Sequence, residues 1–369
     1  MRVLIAPDKL KGTLGAAEAA AAIARGVARV FPDATVVELP LADGGEGTLD
    51  VAVAAGGRSR RAASCDPWGR PVDAPFVVLR NEAVLEAARA AAPPRGPRPG
   101  AALRASSAGV GLLIRAAERE NVAGISVGVG GSMWTDGGTG AASAFGWRFL
   151  DRRGHPLAPG GGALARLHSV EAGETPRLPA VALCDVDNAL VGPAGAARVF
   201  APQKGASPSE VERLEAGLER LVAITGISGD LPMSGAGGGL AWGLAGFLGA
   251  RLERGFDRVA SWARLEQHLA TTDLVITGEG RFDAGSLGGK TPVAVARAAR
   301  AAGVPVVLIA GALEGGRETW REQGFAAALS LTDLAGERAL MDASGALEEA
   351  AEVLARRVYA DGSGDTGRT

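Results

Sequence analysis

Residues 273–291, DLVITGEGRFDAGSLGGKT, join a short apolar run to a polar, glycine-rich continuation. The run 274–276 contains β-branched residues and predicts a buried strand, and the chain turns polar at Thr277. The charged side chains that follow the strand are those of Glu279, Arg281, Asp283 and Lys290. Carboxylates and one lysine among glycines are suited to a bound anion and its counter-ion.

A helix start follows this polar segment. Thr291 is predicted as an N-cap and Pro292 as the first helical residue, so that the helix runs over 293–302. Free N–H groups and the positive end of the helix dipole would then meet beside Gly289 and Lys290. The pattern predicts a phosphate site. The alternative is a crossover loop whose glycines serve turns and whose charges are solvated.

Residues 284–291 also fit a relaxed P-loop pattern, with Ala in place of the first glycine. A P-loop starts where its strand stops, whereas residues 280–283 intervene here. The sequence VALCD at 181–185 resembles a Walker-B strand, but it precedes the loop, which is the reverse of the common order. We therefore do not assign a P-loop.

Lysine is rare in this chain, because only four of the 39 basic residues are lysine. They are Lys9, Lys11, Lys204 and Lys290. An ammonium is a compact, strongly hydrated point charge that a planar guanidinium does not imitate, so a retained lysine can have a chemical role. Codon bias with a few surviving lysines is the alternative.

A second polar, glycine-rich segment follows the predicted strand 125–129. It contains Gly130, Gly131 and Ser132 and, a few residues on, Asp136 and Gly137, before another predicted helix. A phosphate or a ribose suits this position, and tight packing also demands glycine, so both interpretations stay open.

Two aspartates lie at the end of the predicted buried strand 181–185. Strand alternation would place Asp185 and Asp187 on one face, as a pair suited to Mg²⁺ or to a general base. The alternative is a turn rich in Asp and Asn with both carboxylates hydrated.

Composition limits the function classes. A chain of 369 residues predicts about two domains, and a net charge of −2 offers no broad basic surface for nucleic acid. Cys65 and Cys184 are too few for a disulfide framework, and no metal-type Cys/His spacing occurs. The apolar run at the N-terminus is too short for a signal peptide, and no stretch reaches membrane-spanning length. We expect a soluble, cytoplasmic protein.

The order of predicted elements is α/β. A strand at 3–6, a helix at 14–30 and a strand at 35–39 open the chain without a G-x-G-x-x-G turn, which disfavours a dinucleotide-binding domain. A similar rhythm returns near the C-terminus, with strands at 306–310 and 327–331. Between them we predict a helix over 82–91 and a stiff connector at 93–100, and after them a disordered tail at 361–369.

This order predicts a discontinuous first domain, 1–60 plus 258–369, with an inserted α/β domain, 61–257. Sites in such folds lie at the carboxyl ends of strands. The loops that carry Asp8, Asp43 and Glu279 would then line the cleft between the domains, where we expect the active site.

Five stretches, taken in order, together resemble the glycerate kinase family of the bacterial type. They are IAPDKLKG, LADGGEGT, GVGGSMWTDGG, CDVDNALVGPAGAARVFAPQKGA and DLVITGEGRFDAGSLGGKTP. The resemblance implies a flavodoxin-like parallel-sheet domain formed by both chain ends, with an inserted second α/β domain. It also implies ATP-dependent phosphorylation of D-glycerate with Mg²⁺, and 2-phosphoglycerate is favoured over 3-phosphoglycerate as product.

Roles follow for the residues at the matching positions, because phosphoryl transfer needs positioning and charge neutralisation. We expect Asp187 as the base with Asp283 second, and Lys290 at the ATP phosphates. Asp185 and Glu279 are expected at the metal. The expected substrate contacts are Asp8, Lys11, Asp43, Glu46 and Arg281, with Lys11 at the carboxylate. The expected nucleotide or phosphate contacts are Gly130, Gly131, Ser132, Asp136, Gly137, Lys204, Gly289 and Thr291.

Two other classes of function stay open. One is a sensor that binds a phosphorylated metabolite without turnover, and the other is a P-loop-like NTPase that hydrolyses ATP without glycerate. As partners we predict the small-molecule substrate, no nucleic acid and no membrane, and a homodimer is left open.

Overall fold

The structure is a computed structural model that describes residues 1–10, 12–90 and 100–363, the last six as backbone alone. The strands of the described residues are β1 Arg2–Ile5, β2 Thr35–Glu38, β3 Arg58–Cys65, β4 Pro71–Leu79, β5 Glu82–Glu86, β6 Gly124–Gly128, β7 Arg148–Leu150, β8 Ser169–Glu171, β9 Ala180–Cys184, β10 Arg251–Arg254, β11 Leu274–Phe282, β12 Val306–Leu313 and β13 Ala327–Ser330.

The α-helices are α1 Ala16–Val30, α2 Thr48–Ala54, α3 Ala87–Ala90, α4 Ala101–Arg104, α5 Ala108–Ala117, α6 Thr139–Ser143, α7 Ala196–Phe200, α8 Pro208–Thr225, α9 Leu240–Leu248, α10 Gly255–Trp262, α11 Leu265–Leu269, α12 Thr291–Ala301, α13 Arg317–Glu322, α14 Leu331–Ala335, α15 Arg338–Met341 and α16 Ala343–Ser363. Short 3₁₀ segments occur at Gly161–Arg166, Pro202–Lys204 and Ser286–Gly288. The chain divides into two compact units, 1–43 with 259–369 and 44–258.

The first unit contains a five-stranded sheet in the order β13-β12-β11-β1-β2, and every pair in it is parallel. Numbered by the position of each strand within this unit, the spatial order is 2-1-3-4-5, which is the flavodoxin-like order. Its switch point lies between β1 and β11, and ligands of such folds bind at the carboxyl ends of the strands there.

Helices α1 and α16 pack on each other beside this sheet. A Cβ at Gly26 of α1 would lie 2.1 Å from the carbonyl oxygen of Glu348, so only glycine permits this close approach. The alanine-rich sequence of α1 buries Ala19, Ala22 and Ile23 on one face, as its helical spacing predicts.

The second unit contains a six-stranded sheet in the order β10-β9-β6-β5-β4-β3. Strands β10, β9, β6 and β5 are parallel, whereas β5-β4 and β4-β3 are antiparallel. A two-stranded antiparallel sheet, β7-β8, completes this unit. Parallel sheets flanked by helices confirm the predicted α/β class.

The core of the second unit includes the aromatic side chains of Trp134, Trp242 and Phe247. Trp242 and Phe247, both on α9, meet edge to face with ring centroids 5.4 Å apart. A Cβ at Gly138 would lie 2.7 Å from the Cα of Gly243 on the same helix. Glycines of the segment 130–138 therefore serve packing, which was one of the two interpretations left open.

The observed boundary between the units falls at 43/44, whereas the sequence placed it at 60/61. Residues 44–60 belong to the second unit because α2 packs against β4 and β5. Among the described residues, no helix is both long and apolar enough to cross a bilayer.

The sequence predictions differ from the structure in two elements. The helix predicted over 82–91 is wrong, since Glu82–Glu86 form a strand between β4 and β6. Of the described residues in this range, only Ala87–Ala90 are helical. The loop predicted from Thr277 is also wrong, because β11 continues to Phe282 along β12. The predicted connector from 93 to 99 and residues 364–369 of the predicted tail lie outside the described residues.

Candidate active site

In the first unit, Asp8 and Glu279 lie together at the switch point of the sheet. The backbone N–H of Asp8 donates to the carbonyl oxygen of Gly278 at 2.8 Å, so the chain after β1 continues beside the last residues of β11. The negative charge of Asp8 contributes to the raised pKa of the Glu279 carboxyl. The sheet therefore brings two acidic side chains to the place where this fold binds ligands.

Asp8 is buried and held by three donors. Its Oδ1 accepts the N–H of Lys9 at 2.7 Å and lies 3.4 Å from the Lys9 ammonium, and its Oδ2 accepts the hydroxyl of Thr291 at 2.8 Å. Burial raises the pKa of Asp8 to about 6, and the negative charge of Asp43 adds to the rise. Lys9 and the hydrogen bonds partly oppose it.

Glu279 is 6% exposed, and its Oε1 has no hydrogen-bond partner among the described residues. Burial raises the pKa of this carboxyl to about 7. The Ser286 hydroxyl and the Lys290 ammonium oppose the rise, whereas the charges of Asp8 and Asp283 add to it. A buried carboxylate oxygen without a donor is costly, and it is free to accept a proton or a ligand donor.

Lys290 is the N-cap of α12, and no side chain caps this helix end. The prediction of Thr291 as N-cap is wrong, because Thr291 begins the helix and its hydroxyl is used by Asp8. Gly289 precedes the cap with a φ of 100°, a left-handed conformation that favours glycine. The first N–H groups of α12 and the Lys290 ammonium thus form the positive side of this cluster.

Asp283 belongs to the turn between β11 and α12. Its Oδ1 accepts the N–H of Gly285 at 2.9 Å, and its own N–H donates to the Ser286 hydroxyl at 3.2 Å. Arg281 is exposed and pairs with Glu314 at 2.5 Å. Lys11, the predicted carboxylate contact, lies outside the described residues.

In the second unit, Lys204 is a buried ammonium. Its Nζ donates to the carbonyl oxygen of Trp134 at 2.6 Å and to the hydroxyl of Ser132 at 3.1 Å. Burial lowers the pKa of Lys204 to about 7, while the charges of Asp136 and Asp185 act in the opposite direction. Of the residues predicted for nucleotide or phosphate, the structure brings Lys204, Ser132 and Asp136 together.

Asp136 is fully buried and fully engaged. Its Oδ2 accepts the N–H and the hydroxyl of Ser107 at 2.8 and 2.9 Å and the N–H of Gly140 at 3.2 Å, and its Oδ1 accepts the N–H of Gly138 at 3.1 Å. Burial raises the pKa of Asp136, and these hydrogen bonds oppose the rise. Ser107 is not among the residues predicted for the site, although a pair of serines at 106–107, next to the start of α5, is a signal for it.

The glycines around Asp185 mark a close backbone contact. A Cβ at Gly130 would lie 2.7 Å from the Cα of Gly45 and 3.4 Å from Oδ2 of Asp185. Gly131 and Gly137 have φ values of 70° and 63°. The Gly44–Gly45 turn and the end of β6 are thus pressed together, and Glu46, which follows this turn, is exposed.

Asp187 does not share the surroundings of Asp185. Strand β9 ends at Cys184, so strand alternation does not govern either aspartate. The side chain of Asp187 is 58% exposed and forms an ion pair with Arg254. An exposed carboxylate that is paired with a guanidinium is poorly suited to take a proton.

We tested whether the acidic residues fit Mg²⁺. Among the described residues, no group of three or more His, Cys, Asp or Glu is arranged to hold a metal. Mg²⁺ is commonly bound by one or two carboxylates together with water and substrate phosphates. Asp8 and Asp43 are buried, and the repulsion between their charges, which raises the pKa of Asp8, would be relieved by a divalent cation. These hard oxygen donors fit Mg²⁺.

Comparison with known proteins identifies relatives along nearly the whole chain. The model of the glycerate kinase family matches residues 3–359. The chain is 40% identical to Glycerate kinase of Bacillus subtilis (strain 168) over 96% of this chain and 95% of that protein. It is 39% identical to Glycerate 2-kinase of Escherichia coli (strain K12), over 85% and 86% of the two chains.

A solved structure from Salmonella typhimurium LT2, described as glycerate kinase 2, superposes with a TM-score of 0.78 at 38% identity. The match covers 98% of this chain and 99% of the Salmonella chain. The resemblance seen in the sequence motifs is confirmed, and with it the prediction of a kinase. The chain belongs to the glycerate kinase family.

Proposed function

We propose that the protein transfers the γ-phosphoryl group of ATP to the 2-hydroxyl of D-glycerate and releases ADP and 2-phosphoglycerate. Family membership supports glycerate as the acceptor, and the name of the Escherichia coli relative, Glycerate 2-kinase, supports the 2-hydroxyl. In this step the hydroxyl oxygen bonds to the γ-phosphorus, the bond from that phosphorus to the β,γ-bridging oxygen breaks, and a base accepts the hydroxyl proton.

The observation that carries the proposal is the unpartnered Oε1 of Glu279. A base must offer a free acceptor and a pKa near the operating pH, and Glu279 satisfies both with a pKa raised to about 7. We assign Glu279 as the base in place of Asp187, because Asp187 is exposed and paired with Arg254. Asp283 stays the second candidate.

The positive side of the cluster accounts for the phosphates. Lys290 and the uncapped N-terminus of α12 supply a cation and free N–H groups, which stabilise charge that develops on a transferring phosphoryl group. Asp8 and Asp43, which the sequence analysis expects at the substrate, are assigned here to Mg²⁺ instead, and Mg²⁺ would neutralise phosphate charge when bound. Thr291 fixes Asp8 through its hydroxyl.

Other assignments stay predictions. They are the metal role of Asp185, the substrate roles of Lys11, Glu46 and Arg281, and the nucleotide or phosphate roles of Gly130, Gly131, Ser132, Asp136, Gly137, Lys204 and Gly289. The placement of the active site in the cleft also stays a prediction.

The test is a coupled assay of ATP consumption with and without D-glycerate, at several Mg²⁺ concentrations, followed by NMR of the product. We expect consumption only when both D-glycerate and Mg²⁺ are present, and phosphorus coupled to the proton on C2 of the product. Equal consumption without D-glycerate would indicate an NTPase. Tight binding of a phosphorylated metabolite without consumption would indicate a sensor.

A further inference from the structure

A cavity of about 600 Å³ lies within the second unit, apart from the residues assigned above. It is formed by the turn after β3, by the segment that joins α4 to α5, and by residues 158–159. Its volume falls within the range of small-molecule sites, roughly 300–1,000 Å³. We name it the Trp68 cavity.

The wall of the Trp68 cavity is largely apolar. Pro67, Trp68, Ala101, Ala108 and Pro159 contribute to it. D-Glycerate is a three-carbon acid whose every carbon carries oxygen, so it would leave most of this apolar wall uncovered. The cavity instead fits a larger ligand with a flat apolar part.

The charge in the cavity is positive. Asp66 is 4% exposed, and its carboxylate is satisfied by the N–H groups of Trp68 and Arg70 at 2.9 and 3.0 Å and by the Arg70 guanidinium at 2.6 Å. Arg104 also lines the cavity, is exposed, and has no hydrogen bond or ion pair with the described part of the chain. An anionic group on the ligand would complement Arg104, and Arg70 has further N–H donors.

We propose that the Trp68 cavity binds an adenine nucleotide, with its base against Trp68 and the apolar wall and its phosphates toward Arg104 and Arg70. Aromatic side chains stack on bases, and guanidinium groups match phosphates in geometry and charge. The choice of nucleotide among flat anions rests on the proposed function, because ATP is the aromatic anion of that reaction.

The cavity shares a structural segment with the Lys204–Asp136 cluster. Ser106 lines the cavity, and its N–H donates to the carbonyl oxygen of Pro67 at 2.8 Å. The next residue, Ser107, donates twice to Asp136. Occupation of the cavity therefore affects the segment that holds Asp136. Because the phosphates of the donor ATP are assigned to Lys290 and α12, the nucleotide of the Trp68 cavity is a second, regulatory ligand.

The test is isothermal titration calorimetry of ADP with the full chain, in the absence of D-glycerate so that no turnover contributes. The variants are Trp68→Leu and Arg104→Ala, and Arg152→Ala is the control, since Arg152 is an exposed arginine of the same unit outside the cavity. We expect two ADP molecules per wild-type chain, and we expect the Kd of one of them to rise about 5–100-fold in each cavity variant, as loss of one stacking or charge contact predicts. In the control both Kd values should stay within twofold of the wild type.

Steady-state kinetics of the same variants tests whether this site is separate from the donor site. We expect an unchanged KM for ATP, and a KM for ATP that rises together with the Kd for ADP would overturn the inference. No binding of ADP, or equal Kd values in folded wild type, both cavity variants and control, would overturn the inference. Loss of ADP binding in the cavity variants of a chain that never phosphorylates D-glycerate would retain the inference and refute the proposed function.

Discussion

Two buried carboxylates, Asp136 in the second unit and Glu279 in the first, are treated in opposite ways by their surroundings. Asp136 accepts hydrogen bonds from two N–H groups of glycines and from the N–H and hydroxyl of Ser107. Glu279 has one carboxylate oxygen without any partner among the described residues. Both lie in glycine-rich segments for which the sequence leaves two interpretations, ligand binding on one side and packing or turns on the other.

The difference distinguishes a carboxylate that stabilises the fold from one that can take part in a reaction. A buried charge is costly unless hydrogen bonds satisfy it, so the bonds of Asp136 make it a fixed connection between two loops. The free oxygen of Glu279 lowers stability, and such a cost is typical of residues that handle protons or ligands. We therefore expect loss of Asp136 to affect folding first, and loss of Glu279 to affect the reaction first.

The two lysines repeat the contrast. Lys204 is buried and bonded to Ser132 and Trp134, which fixes its position. Lys290 is partly exposed at the uncapped end of α12, where its ammonium can reach a ligand. Glu279 and Lys290 of the first unit are thus held by fewer hydrogen bonds than Asp136 and Lys204 of the second unit.

The largest effect is expected for Glu279→Gln, which keeps the shape of the side chain and removes the proton acceptor. We expect kcat to fall about 10²–10⁴-fold at pH 8. In the wild type the ionised base is the active form, so kcat should rise with pH and level off above about 7, and the variant should lack this limb. Steady-state rates from pH 5.5 to 9 would check this, with Glu322→Gln, at an exposed position of α13, as a surface control. A Glu279→Gln variant with wild-type kcat would return the role of base to Asp187 or Asp283.

A smaller loss of kcat is expected for Lys290→Met, which removes one charge contact to the phosphates while the fold is retained. We expect kcat to fall about 10²–10³-fold. Lys290→Arg should rescue poorly, because a planar guanidinium does not replace a compact ammonium. Kinetics at saturating ATP would measure this, and near-normal kcat in Lys290→Met would assign the lysine to solvation.

The smallest effect is expected for Asp187→Asn, which removes an exposed carboxylate and its ion pair with Arg254. Surface ion pairs contribute little to stability, so we expect kcat within about tenfold of wild type and little change in melting temperature. Rates measured at increasing Mg²⁺ concentrations would check both roles considered for Asp187, the base and the Mg²⁺ ligand. A loss of several hundredfold at every Mg²⁺ concentration would restore Asp187 as the base.

Much of the fold followed from the sequence, because strands such as 3–6 and 306–310 are continuous apolar runs. The start of α8 is also visible in the sequence, since Ser207 and Glu210 have the spacing of the capping box that they form. The prediction failed where tertiary contacts override local preference. Glu82–Glu86 has a helix-compatible sequence, but it pairs with strands on both sides. The polar, glycine-containing end of β11 is held in the strand by β12.

The residue types of the site were predicted, but the hydrogen bonds and ion pairs of these residues were not. Sequence cannot show that Thr291 donates to Asp8 across the sheet or that Asp187 meets Arg254, because both contacts join distant parts of the chain. It also cannot distinguish Asp136 from Glu279, since the difference lies in the hydrogen bonds each carboxylate receives. Those bonds depend on backbone N–H groups whose directions only the folded chain defines.

The most direct test of this contrast is thermal unfolding of Glu279→Gln and Asp136→Asn beside the wild type at pH 5 and pH 8. The pKa of Glu279 is raised by folding, so the folded state binds the extra proton and wild-type stability falls as pH rises from about 4.5 to about 7. Glu279→Gln lacks this loss, and we expect its melting temperature to exceed that of the wild type by about 2–5 °C at pH 8, with a smaller difference at pH 5. Asp136→Asn should melt lower at both pH values, by about 4–10 °C, because an amide donor would face N–H groups. A melting temperature of Glu279→Gln at pH 8 as far below the wild type as that of Asp136→Asn would contradict the account.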